Sequence, residues 1–274
     1  MADRTTLFFP DEGRERLKGY LPRNATERDD TLPFVTLTFA TSLDSALSLS
    51  PGTQTALSGP QSKAMTHYLR SEHDAIMIGV GTAVADNPSL NCRLDGVGGY
   101  GGQDLVGQPR PVVIDPRGRW QLDSRTKILG LAKQGKGKGP WIISVHPLPQ
   151  ASEGLLKAAG GRSIQIPSTD VPGLDPGELD WRTLLQTLRG EGIRSIMIEG
   201  GGNVINSLLS PQNAGLIDSV IVTIAPTWLG QGGVVVSPER SKAGTNATLP
   251  VARLNHVKWQ QLGEDVVLCG YLKT

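Results

Sequence analysis

The segment that decides the fold reads Arg194-Ser195-Ile196-Met197-Ile198-Glu199-Gly200-Gly201-Gly202-Asn203-Val204-Ile205-Asn206-Ser207-Leu208-Leu209. It begins as a short apolar strand, passes through one acid and three glycines, and ends with the spacing of an amphipathic helix. Open α/β sheets bind their ligands where such strands end. The N–H groups of the turn and the positive end of a helix beginning near Gly202 would seat a pyrophosphate. A tight turn without a ligand explains the same local pattern equally well.

The same alternation of strand and helix continues on both sides of this segment. Phe34 to Ala40 alternates with a period of two, which predicts a strand. Apolar runs and helical spacing predict four further strands and two helices, at 75–79, 111–114, 141–145, 163–166, 61–73 and 181–189. Short apolar strands separated by helices indicate a mainly parallel sheet covered on both faces. Residues 218–225, 251–260 and 265–271 have little helix between them, which predicts antiparallel strands at one edge.

The composition narrows the class of protein. The 274 residues include 34 glycines and 19 prolines, so turns are plentiful. Lys and Arg number 27 against 26 Asp and Glu, a balance that gives no basic footprint for nucleic acid or membrane lipid. Cys92 and Cys269 form neither a disulfide framework nor a zinc pair. We expect residues 1–32 to be an N-terminal extension lying on a single α/β domain at 33–274.

The sequence shows few targeting signals. No signal-peptide core follows Met1, and the apolar run at 75–85 is shorter than the ~18 residues of a membrane span. The sequence therefore predicts a cytoplasmic protein. Acceptor patterns for N-glycosylation at Asn24 and Asn246 are attributed to chance, since they matter only on secreted chains.

Several common catalytic signatures are missing from the chain. Two glycine-rich turns fail as dinucleotide fingerprints, because Ile205 and Val84 stand where the third glycine belongs. The zinc deaminase pattern, the nucleophile elbow and the phosphate loop ending in Lys-Ser/Thr are also absent from the sequence. Of the histidines, His67 and His73 are six residues apart rather than the four of a metal pair, so we interpret all of them as surface or satisfied residues.

A second candidate segment runs from Gly79 to Arg93. Thr82 and Asp86 are four residues apart, so a helical turn would place them on one face to hold hydroxyls or an amide. Taken alone, Asp86-Asn87-Pro88 is better explained as a capped turn. Arg70 and Arg93 are candidate oxyanion ligands, because a guanidinium binds such groups bidentately. Asp44 follows the first strand and would either orient a ligand or fix the turn.

Four segments carry a more specific combination of motifs, namely Pro33–Asp44, Met65–Arg70, Gly79–Arg93 and Glu199–Gly202. Together they resemble the riboflavin-pathway pyrimidine reductases, in particular the fungal, single-function type, over about residues 33–272. The resemblance implies a dihydrofolate-reductase-like fold, a homodimer and NADPH as cofactor. It implies hydride transfer to C1′ of the ribose in 2,5-diamino-6-(ribosylamino)-4(3H)-pyrimidinone 5′-phosphate, giving the ribitylamino product.

The resemblance also implies roles for individual residues. NADPH would be held by Ala40, Thr82, Asp86, Gly200, Gly201, Gly202, Asn203 and Val204, with Ile166 touching the adenosine portion. The substrate phosphate would be bound by Arg70 and Arg93, with Leu90 lining the pocket. Glu199 would hydrogen-bond the substrate and act in catalysis, and Asp44 is a candidate for proton handling. No arginine is tied by its spacing to a 2′-phosphate, so the residues themselves leave NADPH and NADH open.

The chain also departs in places from the family that it resembles. Many members of that family have glycine after Asp44, where this chain has Ser45, and the glycine-rich loops at 96–102 and 133–139 have no assigned role. Bacterial bifunctional relatives carry a deaminase domain before the reductase, and 32 residues are too few to contain one. Three alternatives stay open: a reductase of the deaminated pyrimidine, another dihydrofolate-reductase-like enzyme such as a folate reductase, and a non-catalytic NADP-binding protein.

Overall fold

One large sheet organises the chain, and the computed structural model describes residues 6–22, 31–167, 180–240 and 251–273. Asn24 and Asn246 lie outside these ranges. The strands are β1 (Phe34–Thr41), β2 (Ala46–Ser48), β3 (Ala75–Gly79), β4 (Val97–Gly98), β5 (Gly101–Gly102), β6 (Arg110–Ile114), β7 (Trp141–Ser144), β8 (Arg162–Gln165), β9 (Ser195–Gly200), β10 (Ser219–Ile224), β11 (Val234–Val235), β12 (Arg253–Leu262) and β13 (Asp265–Lys273). The helices are α1 (Asp11–Leu17), α2 (Pro60–Ser71), α3 (Val80–Asp86), α4 (Lys127–Lys133), α5 (Gln150–Ala158), α6 (Trp181–Gly190) and α7 (Gly202–Leu208).

The main sheet contains nine of these strands, counted over the described residues, in the order β12-β13-β10-β1-β9-β3-β6-β7-β8. Neighbours from β10 to β8 all pair parallel. The pairs β10–β13 and β12–β13 are antiparallel. The predicted mainly parallel sheet with antiparallel C-terminal strands is therefore confirmed.

Helices cover both faces of the sheet, because alternate residues of each buried strand point to opposite sides. On β9, Ile196 and Ile198 pack in the same core cluster as three leucines of α6, whereas Met197 packs with Met65 and Leu69 of α2. The same alternation holds along β3, where Ile76 and Ile78 join a third cluster with α4 and α5. Two-sided burial explains why these strands read as continuous apolar runs.

The N-terminal segment contributes to the core. Phe9 is 1% exposed and stacks on Tyr68 of α2 with ring centroids 5.4 Å apart. Leu17 and Tyr20 are buried in the same cluster. Residues 6–22 therefore pack on α2 through apolar side chains, although the surrounding sequence is polar.

Three helices were not predicted from the sequence: α1, α4 and α5. In α1 most side chains are charged, and α4 and α5 each contain a central glycine, Gly130 and Gly154. Glycine lowers helix propensity by about 1 kcal/mol relative to alanine, so packing rather than local preference stabilises these short helices. None of the helices in the described ranges is both long and apolar enough to cross a membrane.

The turn after β1 keeps a glycine-like backbone without glycine. Ser45 has a φ of 61°, in the left-handed region that favours glycine. The Ser45 N–H donates to the Ser42 carbonyl (3.1 Å), and the Ser42 N–H donates to the Ala46 carbonyl (2.9 Å). Ser45 thus adopts a conformation that glycine would supply at lower cost.

Candidate functional site

A cleft of about 1070 Å³ opens at the carboxyl ends of four adjacent parallel strands, β1, β9, β3 and β6. Parallel strands that end together leave their following loops at one edge, and this edge is where open α/β sheets bind ligands. The cleft brings together eight of the residues predicted from the sequence: Ala40, Thr82, Asp86, Glu199, Gly201, Gly202, Asn203 and Val204. These residues come from β1, α3, the end of β9 and α7.

The glycine turn between β9 and α7 has a backbone that other residues rarely adopt. Gly200 and Gly201 have φ values of 85° and 104°. A Cβ atom on Gly201 would lie 2.8 Å from Thr82 Oγ1, and one on Gly202 would lie 2.3 Å from Val234 Cγ1. The Thr82 hydroxyl donates to the Gly200 carbonyl at 3.3 Å, which ties α3 to the turn. Glycine is required here both for the backbone conformation and for the close approach of the Thr82 and Val234 side chains.

Glu199, just before this turn, is held by Arg70 of α2. Arg70 Nε donates to Glu199 Oε1 at 2.8 Å, and Nη2 donates to Oε2 at 2.7 Å. The two side chains are 13% and 19% exposed, so the pair is largely shielded from water. Such a two-point contact fixes the plane of the carboxylate as well as its position. Glu199 lines the cleft with a fixed orientation.

Arg70 also supports the loop that follows α3. Its Nη1 donates to the Asn91 carbonyl at 3.0 Å, so three of its five N–H groups are engaged by protein acceptors. Asn91 Nδ2 in turn donates to Tyr100 Oη and to the Lys136 carbonyl. The predicted role of Arg70 as a phosphate ligand stays a prediction, and the observed contacts give it a second role in orienting Glu199.

The two glycine-rich loops at 96–102 and 133–139 pack against each other next to Asn91, whose carbonyl accepts a hydrogen bond from Arg70. A Cβ on Gly99 would lie 2.5 Å from the Gly135 carbonyl oxygen, so only glycine permits the approach. Lys136 lies over the Tyr100 ring, with Nζ 5.8 Å from its centroid. The loops that the sequence leaves without a role therefore fix Asn91, and through it Arg70.

Besides Arg70 and Gly200, which contact residues of the lining, three predicted ligand-binding residues lie away from the lining of the cleft: Leu90, Arg93 and Ile166. Leu90 is buried in the cluster with Ile76 and Ile78, and Ile166 is buried in the cluster that contains α6. Arg93 lies in the loop beyond Asn91, and its backbone N–H donates to His67 Nδ1 at 3.0 Å. Their predicted contacts with ligands stay predictions, and in this structure Leu90 and Ile166 act as core residues.

Asp44 also lies outside the cleft lining. Its carboxylate accepts hydrogen bonds from the Ser42 hydroxyl and from the N–H groups of Leu229 (3.1 Å) and Gly230 (2.7 Å). These donors, the Ser42 hydroxyl first, lower the pKa of Asp44 to about 2. A carboxyl that is ionised throughout the neutral range is a poor proton donor. The contacts favour a role in fixing the loop at 227–230 over the predicted proton handling.

Asp86 lies in a different electrostatic environment. Burial raises the pKa of its carboxyl, and the charge of Lys127 opposes this shift. Asp86 ends α3 and lines the cleft together with Thr82, as their four-residue spacing predicted. In the described ranges, no group of three or more His, Cys, Asp or Glu side chains is arranged to hold a metal ion.

The cleft includes residues that sequence reasoning missed. Arg117 and Arg119 line it from the loop after β6, and Asp180 and Trp181 line it at the start of α6. The two arginines directly follow a predicted strand, so the rule that ligands bind where strands end would have identified them. Trp181 Nε1 donates to Ser207 Oγ at 2.8 Å and thereby links α6 to α7.

Comparison with known proteins shows which family the chain matches. Residues 33–268 match the family described as the RibD C-terminal domain. The chain is 39% identical over 264 residues to the 2,5-diamino-6-ribosylamino-4(3H)-pyrimidinone 5′-phosphate reductase of Debaryomyces hansenii, covering 94% of this chain and 96% of that one. It is 38% identical over 258 residues to the enzyme of the same name from Saccharomyces cerevisiae, covering 93% of each chain.

Solved structures give the same result. The riboflavin biosynthesis reductase Rib7 of Saccharomyces cerevisiae superposes with a TM-score of 0.74 at 33% identity, covering 96% of this chain and all of that one. The RibD protein of Acinetobacter baumannii superposes with a TM-score of 0.68 at 26% identity, but this chain covers only 64% of its length.

Proposed function

Because this chain belongs to the RibD C-terminal domain family, we propose that it reduces 2,5-diamino-6-(ribosylamino)-4(3H)-pyrimidinone 5′-phosphate to the ribitylamino product of riboflavin biosynthesis, with NADPH as cofactor. The observation that carries the proposal is the cleft, which joins residues from four separate segments of the sequence. Ala40, Thr82, Glu199 and the glycine turn all meet there. The curated relatives of that name match this chain over nearly its whole length.

The cleft suits a dinucleotide. Its volume of about 1070 Å³ is at the upper end of the range for small-molecule pockets, so it would hold a cofactor and part of a substrate. The glycine turn lets Thr82 and Val234 pack directly against the backbone at this edge of the cleft, because a Cβ on Gly201 or Gly202 would clash with them. Ala40, Thr82, Asp86 and the turn residues Gly200 to Val204 would hold NADPH, which when bound supplies the hydride.

The protein's own contribution is to bind and orient the substrate. The reaction adds a hydride to C1′ of the ring-opened ribosylimine and a proton to its nitrogen, so that the C=N bond becomes an amine. Glu199 would accept hydrogen bonds from the substrate, and the Arg70 fork holds its carboxylate in place before the substrate arrives. Arg70 and Arg93 would take the substrate phosphate, as the resemblance implies. A preformed site of this kind lowers the entropy cost of reaching the reactive geometry.

The test is absorbance at the reduced-nicotinamide band. Purified protein is mixed with the diamino substrate and either NADPH or NADH, and the deaminated pyrimidine phosphate and dihydrofolate are run in parallel. We expect oxidation of NADPH with the diamino substrate. Turnover of the deaminated compound alone would assign the bacterial-type reaction, and turnover of dihydrofolate alone would assign a folate reductase. Cofactor binding without turnover of any substrate would indicate a non-catalytic protein.

Two further expectations accompany the proposal. We propose that the protein forms a homodimer, which light scattering on the purified chain would show as twice the mass of 29.2 kDa. We also propose a cytoplasmic location, which imaging of the tagged protein would test. A monomer, or a signal confined to an organelle, would contradict these two proposals without affecting the proposed reaction.

A further inference from the structure

A buried side-chain amide joins the Arg70–Glu199 pair to the two glycine-rich loops. Arg70 Nη1 donates to the Asn91 carbonyl at 3.0 Å, and Asn91, which is 2% exposed, donates through Nδ2 to Tyr100 Oη (2.8 Å) and to the Lys136 carbonyl (2.7 Å). Because a carbonyl only accepts, the bond to Lys136 fixes which way the amide faces, and Tyr100 Oη is then the acceptor of the other bond. Both hydrogens of the amide therefore hold Asn91 against the loops.

A second buried amide, that of Gln108, supports the same segment. Gln108 is 1% exposed, and its Oε1 accepts from the Cys92 N–H at 2.9 Å. Its Nε2 donates to the Cys92 carbonyl (2.7 Å) and to the Gly98 carbonyl (2.8 Å). Cys92 directly follows Asn91, and Gly98 belongs to the first glycine-rich loop. The two amides together tie this segment to that loop, so the Asn91 carbonyl has a fixed position.

The rigid guanidinium of Arg70 carries this constraint to Glu199. Its contacts with Asn91 and Glu199 use one N–H on each of its three nitrogens, so the plane of the group is fixed at three points. A shift of the Asn91 carbonyl would tilt that plane and misalign the two bonds to the carboxylate, which weaken steeply with angle. Asn91 Oδ1 is buried as well, and no donor within the described ranges reaches it, so this amide is not arranged for stability alone.

We infer that Asn91 and Tyr100 are positioning residues for the proposed reaction and act through Arg70 on the Glu199 carboxylate. The inference rests on the proposed function, in which that carboxylate accepts hydrogen bonds from the substrate. A displacement of about 1 Å at a reacting group lowers a rate by about 100-fold, so a small loss of alignment is enough to slow turnover. Asn91 and Tyr100 are not among the residues that line the cleft, so NADPH binding should change little.

The test compares two buried tyrosines. Tyr100→Phe removes the hydroxyl that accepts from Asn91. Tyr20→Phe is the matched control, because it removes a hydroxyl that donates to the His256 carbonyl at 2.6 Å, and neither of these two residues lines the cleft. The tyrosines are 8% and 3% exposed, so the two changes should lower stability by similar amounts. A third variant, Asn91→Ala, removes the whole amide.

Two properties are measured on the full chain. NMR of the chain labelled with 15N-arginine follows hydrogen exchange at the Arg70 Nε–H, whose signal is identified by its loss in Arg70→Lys. This measurement reports the alignment of Arg70 with Glu199 without any turnover. Steady-state kinetics give kcat and the KM for the diamino substrate, and a fluorescence titration gives the affinity for NADPH.

We expect Tyr100→Phe to speed exchange at the Arg70 Nε–H and to lower kcat, each by about five- to tenfold, the size of one neutral hydrogen bond. Asn91→Ala should have a larger effect on both, and NADPH affinity should stay within about threefold of wild type in each variant. Tyr20→Phe should keep the wild-type exchange rate and kcat. In an Arg70→Lys background Tyr100→Phe should lower kcat no further, because its effect passes through the guanidinium.

Three results would overturn the inference: wild-type exchange in Tyr100→Phe, faster exchange with an unchanged kcat, or equal losses in the two tyrosine variants. Each of them leaves the proposed function intact, provided that the wild type reduces the diamino substrate. If the wild type turns over no substrate, the proposed function fails, and the exchange rates of Tyr100→Phe and Tyr20→Phe alone decide whether Tyr100 positions Arg70.

Discussion

The carboxylate of Glu199 is oriented by an arginine 129 residues away in the sequence. Both oxygens are engaged by one planar guanidinium, and the pair is mostly shielded from water. In such an environment the geometry of the pair matters more than its net contribution to stability, because desolvation offsets much of the attraction. We interpret Arg70 as a positioning residue for Glu199 as well as a predicted phosphate ligand.

Replacing Arg70 separates these two roles. Arg70→Lys keeps the charge but loses the fork, so we expect kcat to fall about 10- to 100-fold while NADPH affinity changes by less than about threefold. Steady-state kinetics and a fluorescence titration measure the two quantities, with Arg253→Lys as control. A variant with wild-type kcat and a strongly raised KM for the substrate would instead support phosphate binding alone.

The glycine turn allows a prediction in which a second glycine of the same cleft, Gly81, serves as the control. Gly201→Ala places a Cβ at a φ of 104° and 2.8 Å from Thr82 Oγ1, so we expect a loss of about 1–3 kcal/mol in unfolding free energy and much weaker NADPH binding. Gly81 lines the same cleft in α3, and a Cβ there meets nothing within 4 Å. Gly81→Ala should therefore be neutral or slightly stabilising. Equal effects in urea unfolding and cofactor titration would refute the steric argument.

At the scale of elements, a buried hydrogen-bond chain joins α2, β1 and β10. The Ser219 hydroxyl donates to Thr36 Oγ1, the Thr36 hydroxyl donates to His73 Nε2, and His73 Nδ1 donates to the Leu69 carbonyl. This arrangement requires a neutral imidazole. Burial lowers the pKa of His73 to about 4. The residue is buried with both ring nitrogens hydrogen-bonded, so of the two predicted possibilities, surface or satisfied, it is the satisfied one.

The lowered pKa predicts how stability depends on pH. The unfolded chain takes up a proton at His73 near pH 6.5, whereas the folded chain does so only near pH 4. Between these values the unfolded state binds more protons, so stability should fall as pH decreases through this window, by up to about 3 kcal/mol. Urea unfolding of His73→Gln should show a flatter pH dependence from 6.5 to 4, and the exposed His146→Gln should follow the wild type. A slope unchanged in His73→Gln would disprove the assignment.

At the scale of the whole molecule, residues 6–22 are integrated with the reductase domain through the cluster that contains α2. The chain runs along the domain surface, where the Leu7 N–H donates to the Arg93 carbonyl and the Asp95 N–H donates to the Leu7 carbonyl. Two adjacent aromatic residues have opposite environments, because Phe9 is buried whereas Phe8 is 73% exposed. One of the core clusters therefore includes the segment that the sequence predicts to be an extension lying on the domain.

This contrast gives a stability prediction. Phe9→Ala should lower the unfolding free energy by about 3–5 kcal/mol, because it removes a large buried side chain and leaves a cavity against Tyr68. Phe8→Ala should change it by less than about 0.5 kcal/mol. Chemical denaturation of both variants is the measurement. Two variants of equal stability would show that the segment detaches from the domain in solution.

The sequence by itself determined the features that depend on local periodicity and on residue chemistry. Alternating and continuous apolar runs predicted all nine strands of the main sheet, because burial on one or both faces fixes a strand's pattern. The position of the glycine turn and the spacing of Thr82 and Asp86 predicted residues that do line one cleft. The short helices α4 and α5 were not predicted, because packing rather than helix propensity stabilises them.

Only the tertiary structure decided which distant side chains meet. It paired Arg70 with Glu199, joined the two glycine-rich loops behind that pair, placed Leu90 and Ile166 in the core and brought Arg117 and Arg119 to the wall of the cleft. The physical reason is that such contacts depend on the lateral order of the strands. That order places the ends of β1, β9, β3 and β6 side by side, although along the chain these strands follow one another as β1, β3, β6 and β9. Local pattern carries no information about that order, so the partners of each charged group follow from the assembled sheet.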